Sequence, residues 1–166
     1  MTIDRTARNY AADLIRWFRD CRISNDEFYD QWPIRSEDAG LTAIWRELWF
    51  TYSDLKNHTL SGKYSLDAED AAIYERCILF LQSDKEYVWP ELKGFLPGGI
   101  GWLFLILSLG VLLPLHRWIK RRNKAALDHF RAAGDYEVWP FISKADYERA
   151  FRKSFPPLDQ DDVLAR

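Results

Sequence analysis

Apolar residues recur through the first 85 positions at the spacing of helices that bury one face. Between positions 6 and 21, Tyr10, Ala11, Leu14, Ile15, Phe18 and Cys21 follow the i, i+3, i+4, i+7 rule and predict a helix with a core-facing stripe. The stretch "ISNDEF" carries a start signal, because Ser24 and Glu27 stand at capping-box spacing and Ile23 and Phe28 at the two positions of a hydrophobic staple. The helix it opens is expected to stop at Trp32, since Pro33 disfavours α geometry in the residue before it. The strongest pattern is "LTAIWRELWFTYSDLK", where Leu41, Ile44, Trp45, Leu48, Trp49, Tyr52 and Leu55 predict four turns of one continuous stripe. A fourth helix, capped by Ser65 or Asp67, places Tyr74, Cys77, Ile78 and Leu81 on one face. Leu79 and Phe80 widen that face, which implies a central position.

Two further helices are expected downstream. One continues through "NKAALDHFRAAG" with Ala126, Leu127, Phe130 and Ala133 inward; the last starts at Ser143, with Asp146 three residues on and Ile142 and Tyr147 as staple, and stops before Pro156-Pro157. No segment alternates with a period of two, so the fold class is all-α. The expected architecture is a small helical bundle with one long apolar helix at about 100–118, either membrane-embedded or the central core helix. The chain divides on this reading into an amphipathic helical domain (1–93), the apolar helix (94–119), a basic helical segment packing on the rest (120–157) and a mobile tail (158–166).

The pattern changes at 94–116, where no Asp, Glu, Lys or Arg occurs. That interval meets the roughly 20 apolar residues needed to cross a hydrocarbon core of about 30 Å. Trp102 and Trp118 fall toward its ends, and Arg117, Lys120, Arg121 and Arg122 follow directly, so these six read as membrane-interface anchors with the basic side cytoplasmic. Three features oppose a crossing. Pro97, Gly98, Gly99 and Gly101 weaken the opening turn and leave a helix over 100–115, only about 24 Å long. The charge rule also places a charged 93-residue portion outside, although the N-terminus has no secretory signal pattern. Finally, residues 120–166 would be stranded as a piece too short for its own core. A hairpin dip needs two apolar legs where the run supplies one and a half, and an in-plane helix needs a polar face. A single span in a bilayer and a buried helix in a soluble cytoplasmic bundle both suit an apolar surface all round, and hydropathy favours the span.

Composition adds aromatics at 16%, with eight Trp, and such side chains fill cores, anchor partners or line membrane interfaces. Trp32, Trp45, Trp49, Trp89 and Trp139 are the candidate partner anchors, with core packing as the competing role for Trp45 and Trp49. V-W-P recurs at 88–90 and 138–140 on either side of the apolar run, which reads first as chance plus the use of proline to stop a helix; the alternative is a paired feature in which Trp89 and Trp139 pack near each other. Residues 1–93 hold 12 Lys and Arg against 17 Asp and Glu, a balance of −5, whereas residues 94–166 hold 11 against 8, a balance of +3. With a net charge of −2 the chain lacks the basic excess of a nucleic-acid binder.

Marks of chemistry are sparse. Cys21 and Cys77 form no C-x-x-C pair and are expected as small hydrophobes on helix faces. His58 is expected at a helix C-terminus and His116 at the edge of the apolar run, while His129 and Asp128 are sequence neighbours that do not face each other on a helix. There is no G-x-S-x-G, no E-x-x-H, and "PGGIGW" lacks the G-K-[ST] ending of a phosphate loop. The expectation is therefore a protein that is not an enzyme and uses no cofactor, metal or small-molecule substrate. It reads as a bacterial, membrane-associated helical protein with an interaction or structural role, meeting the lipid bilayer and an unidentified protein partner. The alternative is a soluble all-α protein of the immunity or antitoxin type that blocks a partner with its acidic face.

Overall fold

A computed structural model describes residues 3–49, 56–90 and 113–155, with the backbone alone at 113–117 and 119. The regular structure among these residues is helical, as the periodicity predicts: α1 (Arg5–Arg19), α2 (Asn25–Gln31), α3 (Ala39–Leu48), α4 (Ala68–Gln82), α5 (Leu113–Arg131) and α6 (Lys144–Ser154), with 3-10 turns at Gly62–Tyr64 and Tyr136–Val138. The chain falls into two units, Met1–Tyr87 with Glu137–Arg166, and Val88–Tyr136.

The larger unit is built from locally specified helices. Ser24 accepts from the Glu27 amide while the Glu27 carboxylate accepts from the Ser24 amide at 2.8 Å, completing the capping box. Asp67, rather than Ser65, caps α4 by accepting from the Asp70 amide at 2.8 Å, and Ser143 caps α6 through the Asp146 amide. These caps satisfy amides that the helix itself leaves without partners. α2 ends at Trp32 as Pro33 requires. Around α4 the core closes: Tyr74, Cys77, Ile78, Leu79, Phe80 and Leu81 are all buried, against Leu14, Ile15 and Phe18 of α1 and Leu41, Ile44 and Leu48 of α3 as the other large core contributors. Five consecutive buried positions, 77–81, mean that α4 has neighbours on more than one side, the mark of a central helix.

Several sequence expectations need correction. Tyr10 lies at the exposed edge of α1, its hydroxyl donating to Gln31 Oε1 at 3.2 Å, and Ala12 takes a core position; Cys21 is exposed because α1 stops at Arg19 and Cys21 lies beyond it with φ 59°. α3 is shorter than the four-turn stripe: it ends at Leu48, and Tyr52 and Leu55 lie outside the described residues. His58 follows in a coil, stacked on Tyr64 at 3.9 Å between centroids, and not at a helix end. Ala133 is exposed, past the end of α5.

The smaller unit contains α5. The helix expected at about 100–118 falls mostly on residues outside those described, as does Trp102; the described 19 residues of α5, Leu113–Arg131, carry the basic cluster. Among the described residues no helix is long and apolar enough to cross a membrane. The expected tail at 158–166 also lies outside the described residues.

Candidate interaction surfaces

The most constrained polar group among the described residues is one that helical patterning does not reveal. Arg8 occupies the apolar stripe of α1, one turn before Ala11 and Ala12, and its side chain is 1% exposed; Asp38, the N-cap of α3, is 2% exposed. The guanidinium donates through Nε to Asp38 Oδ2 at 2.6 Å and through a terminal nitrogen to Oδ1 at 2.9 Å, a two-pronged pair. Its other terminal nitrogen reaches the carbonyls of Ser83 and Lys85, at 3.3 and 2.7 Å, just past the end of α4. Asp38 also accepts from the amides of Asp4 and Gly40. Burial works to raise the Asp38 carboxyl, but the Arg8 hydrogen bonds and charge, with the two amides, outweigh it and hold the group below its ordinary value. Gly40 lets the backbone approach: a Cβ there would meet Phe80 Cε1 at 2.8 Å, and Phe80 carries the Arg8 guanidinium 5.1 Å from its ring centroid. Every polar arm of this cluster has a protein partner, so it ties three helix ends together and leaves no group aimed at a ligand.

Of the Trp residues named as partner anchors, Trp32, Trp89 and Trp139 are buried, Trp45 is half-buried and Trp49 is 40% exposed. Trp32, Trp45 and Trp49 belong to one aromatic chain that runs from the core outward: Phe18 stacks on Phe28 at 4.9 Å, Phe28 meets Trp32, Trp32 stacks on Trp45 at 5.3 Å, and Tyr29 touches both Trp45 and Trp49 at 5.0 Å. The cavity among these rings is about 10 Å³, room for one water at most. Trp89 stacks on Phe130 at 4.9 Å, with Tyr136 edge-on to both, while Trp139 donates its indole N–H to the Tyr87 hydroxyl at 3.3 Å. Trp89 and Trp139 fall in different units.

Of the membrane-interface anchors, Trp118 is 52% exposed, and Lys120, Arg121 and Arg122 are exposed with it. The Arg122 guanidinium lies 5.3 Å over the Trp118 ring one turn away, so the indole and a cation share one face of α5. Arg117 belongs to the backbone-only stretch. Further along α5, Lys124 pairs with Asp128 at 3.3 Å and His129 is exposed. Among the described residues no three His, Cys, Asp or Glu side chains converge on a metal position. Cys77 is fully buried, and burial raises its thiol far above the ordinary range; Glu47 is raised by burial and then by the Asp70 carboxylate.

Comparison of the chain with protein-family models, with curated proteins and with solved structures found no match.

Proposed function

We propose that this protein is a non-catalytic helical protein that attaches to a lipid bilayer through the 94–122 region and serves an interaction or structural role there. One observation carries the reading: an uncharged run of 23 residues in the sequence is followed directly by residues of α5 that present Trp118, Lys120, Arg121 and Arg122 to their surroundings. An indole under a guanidinium suits the headgroup layer, where an amphipathic ring and a cation are both accommodated, and each basic side chain near an anionic surface adds about 1 kcal/mol of attraction. The neighbouring run supplies apolar area that water opposes. The larger unit supports the non-catalytic part of the reading, since its most buried charges are spent on holding helix ends together.

Fractionation without detergent tests the attachment. The expected result is recovery in the membrane pellet, with purified protein floating on vesicles of mixed phosphatidylcholine and phosphatidylglycerol and floating poorly on phosphatidylcholine alone. A soluble monomer that ignores both vesicles would overturn the reading in favour of the soluble partner-blocking alternative.

A further inference from the structure

The apolar run leaves from, and returns to, a single packed unit. Before the run stand α4 and the strand of chain to Tyr87; after it stand Trp139, Phe141 and α6. The Trp139 indole N–H donates to the Tyr87 hydroxyl at 3.3 Å, and Arg76 Nε donates to the Trp139 carbonyl at 3.0 Å. Lys85 Nζ lies 2.7 Å from the Asp146 carboxylate, and its hydrogen bond is the main reason that this carboxyl is held below its ordinary value. Phe141, 1% exposed, packs edge-on against the buried Phe80 at 5.3 Å. These contacts join the two flanks through an aromatic core and three charged groups, Arg76, Lys85 and Asp146, so both flanks must occupy the same side of any bilayer.

A single crossing at 94–116 would place positions 1–87 and 137–155 on opposite sides and break all four contacts. Two crossings would restore them only if the chain returned through 117–136, and that stretch holds eight charged residues. Central Lys, Arg or Asp residues cost about 2.5–3.5 kcal/mol each in a spanning helix, so that route is closed. We infer that the protein engages the bilayer from one side only: the segment before the apolar run and the helix α6 after it share a compartment, and the chain makes no net crossing between them. The inference rests on the membrane reading above. It replaces the single span expected from hydropathy, and it removes the need to export a charged 93-residue portion.

Two thiols report the sides separately. Cys21 is exposed on the first flank, whereas Cys77 is buried and stays silent in the folded protein. The native chain supplies the first probe; Cys21→Ser combined with Lys153→Cys, at an exposed position of α6, supplies the second. Each full-length protein is expressed in bacteria and treated with a membrane-impermeant maleimide in right-side-out and in inverted membrane vesicles. The expected result is that both thiols label in the same vesicle preparation and neither labels in the other. Labelling of Cys21 in one preparation and of Lys153→Cys in the opposite one would overturn the one-sided arrangement while leaving membrane attachment intact. Recovery of the protein in the aqueous fraction, away from both kinds of vesicle, would overturn the attachment and the inference together.

Discussion

The larger unit and α5 solve opposite problems with the same secondary structure. α1 and α4 bury their long apolar faces in each other's company, their ends are capped, and the buried guanidinium of Arg8 meets the equally buried Asp38 carboxylate and two carbonyls. α5, of similar length, has Phe130 as the buried member among its described side chains and turns Trp118 and three cations outward. A helix that buries its stripe takes its stability from that packing; a helix that displays polar groups together with a large ring takes little from inside the protein. The comparison separates a part of the molecule that packs its helices against one another from a helix that turns a large ring and cations outward.

The sharpest way to break the first half of this comparison is Asp38→Ala. It leaves Arg8 buried without its carboxylate and is expected to cost about 3–5 kcal/mol in urea unfolding. A double variant, Arg8→Met with Asp38→Ala, is expected to recover part of that loss, because the stranded charge goes with its partner. The same pair sets an acid limit. A carboxyl lowered in the folded state contributes stability that is complete above its unfolded value, ordinarily 3.8, and is lost as pH falls through the lower folded value. Unfolding of the native chain should therefore become easier below about pH 4, and a part of that acid dependence should vanish in the double variant.

Gly40→Ala is expected to cost less, about 1–3 kcal/mol, because the new methyl group meets Phe80 at 2.8 Å and the ring must shift from under the Arg8 guanidinium. A loss of this size in the thermal midpoint would show that α3 and α4 are held close by the absence of a side chain. Smaller again are the caps. Ser143→Ala and Asp67→Ala each remove an acceptor from a helix N-terminus and should cost about 1 kcal/mol, read from the same unfolding curves.

What the amino-acid pattern revealed follows from the range of each interaction. The capping boxes and the stripes of α1 and α4 are written within four residues, so Ser24, Ser143 and the Tyr74–Leu81 face could be read directly from spacing. Arg8 and Asp38 are 30 positions apart, and their pairing needs the fold. A signal for half of it was present: Arg8 falls on the stripe with Ala11, Ala12 and Ile15, where a charge must find a partner or stay out of the core. Cys21 was misplaced because the stripe was extended past the last turn, where the chain leaves helical geometry, whereas Tyr10 sits within α1 at the exposed edge of the stripe, where its hydroxyl donates to Gln31 Oε1. For the candidate surface, the residue types behind the apolar run were legible, including Trp118 and Arg122, but their stacking and exposure were not. Nor was the return of Trp139 and Phe141 to α4, a long-range contact that hydropathy, which reads one segment at a time, has no means to register.

The last variant probes the second half of the comparison and is expected to change stability least. Trp118→Ala removes an exposed ring from α5, so the urea midpoint should stay within about 0.5 kcal/mol of the native chain. Binding to phosphatidylglycerol-containing vesicles should nevertheless weaken, and weaken further when Lys120, Arg121 and Arg122 become Gln, by up to about 1 kcal/mol for each charge that meets the headgroups. A raised salt concentration should erase the contribution of the three charges and spare that of the ring, because screening acts on the former alone. If Trp118→Ala instead unfolded the protein without touching vesicle binding, the indole would belong to the molecule's own packing, and the division between an inward-satisfied unit and an outward-facing helix would fail at its central residue.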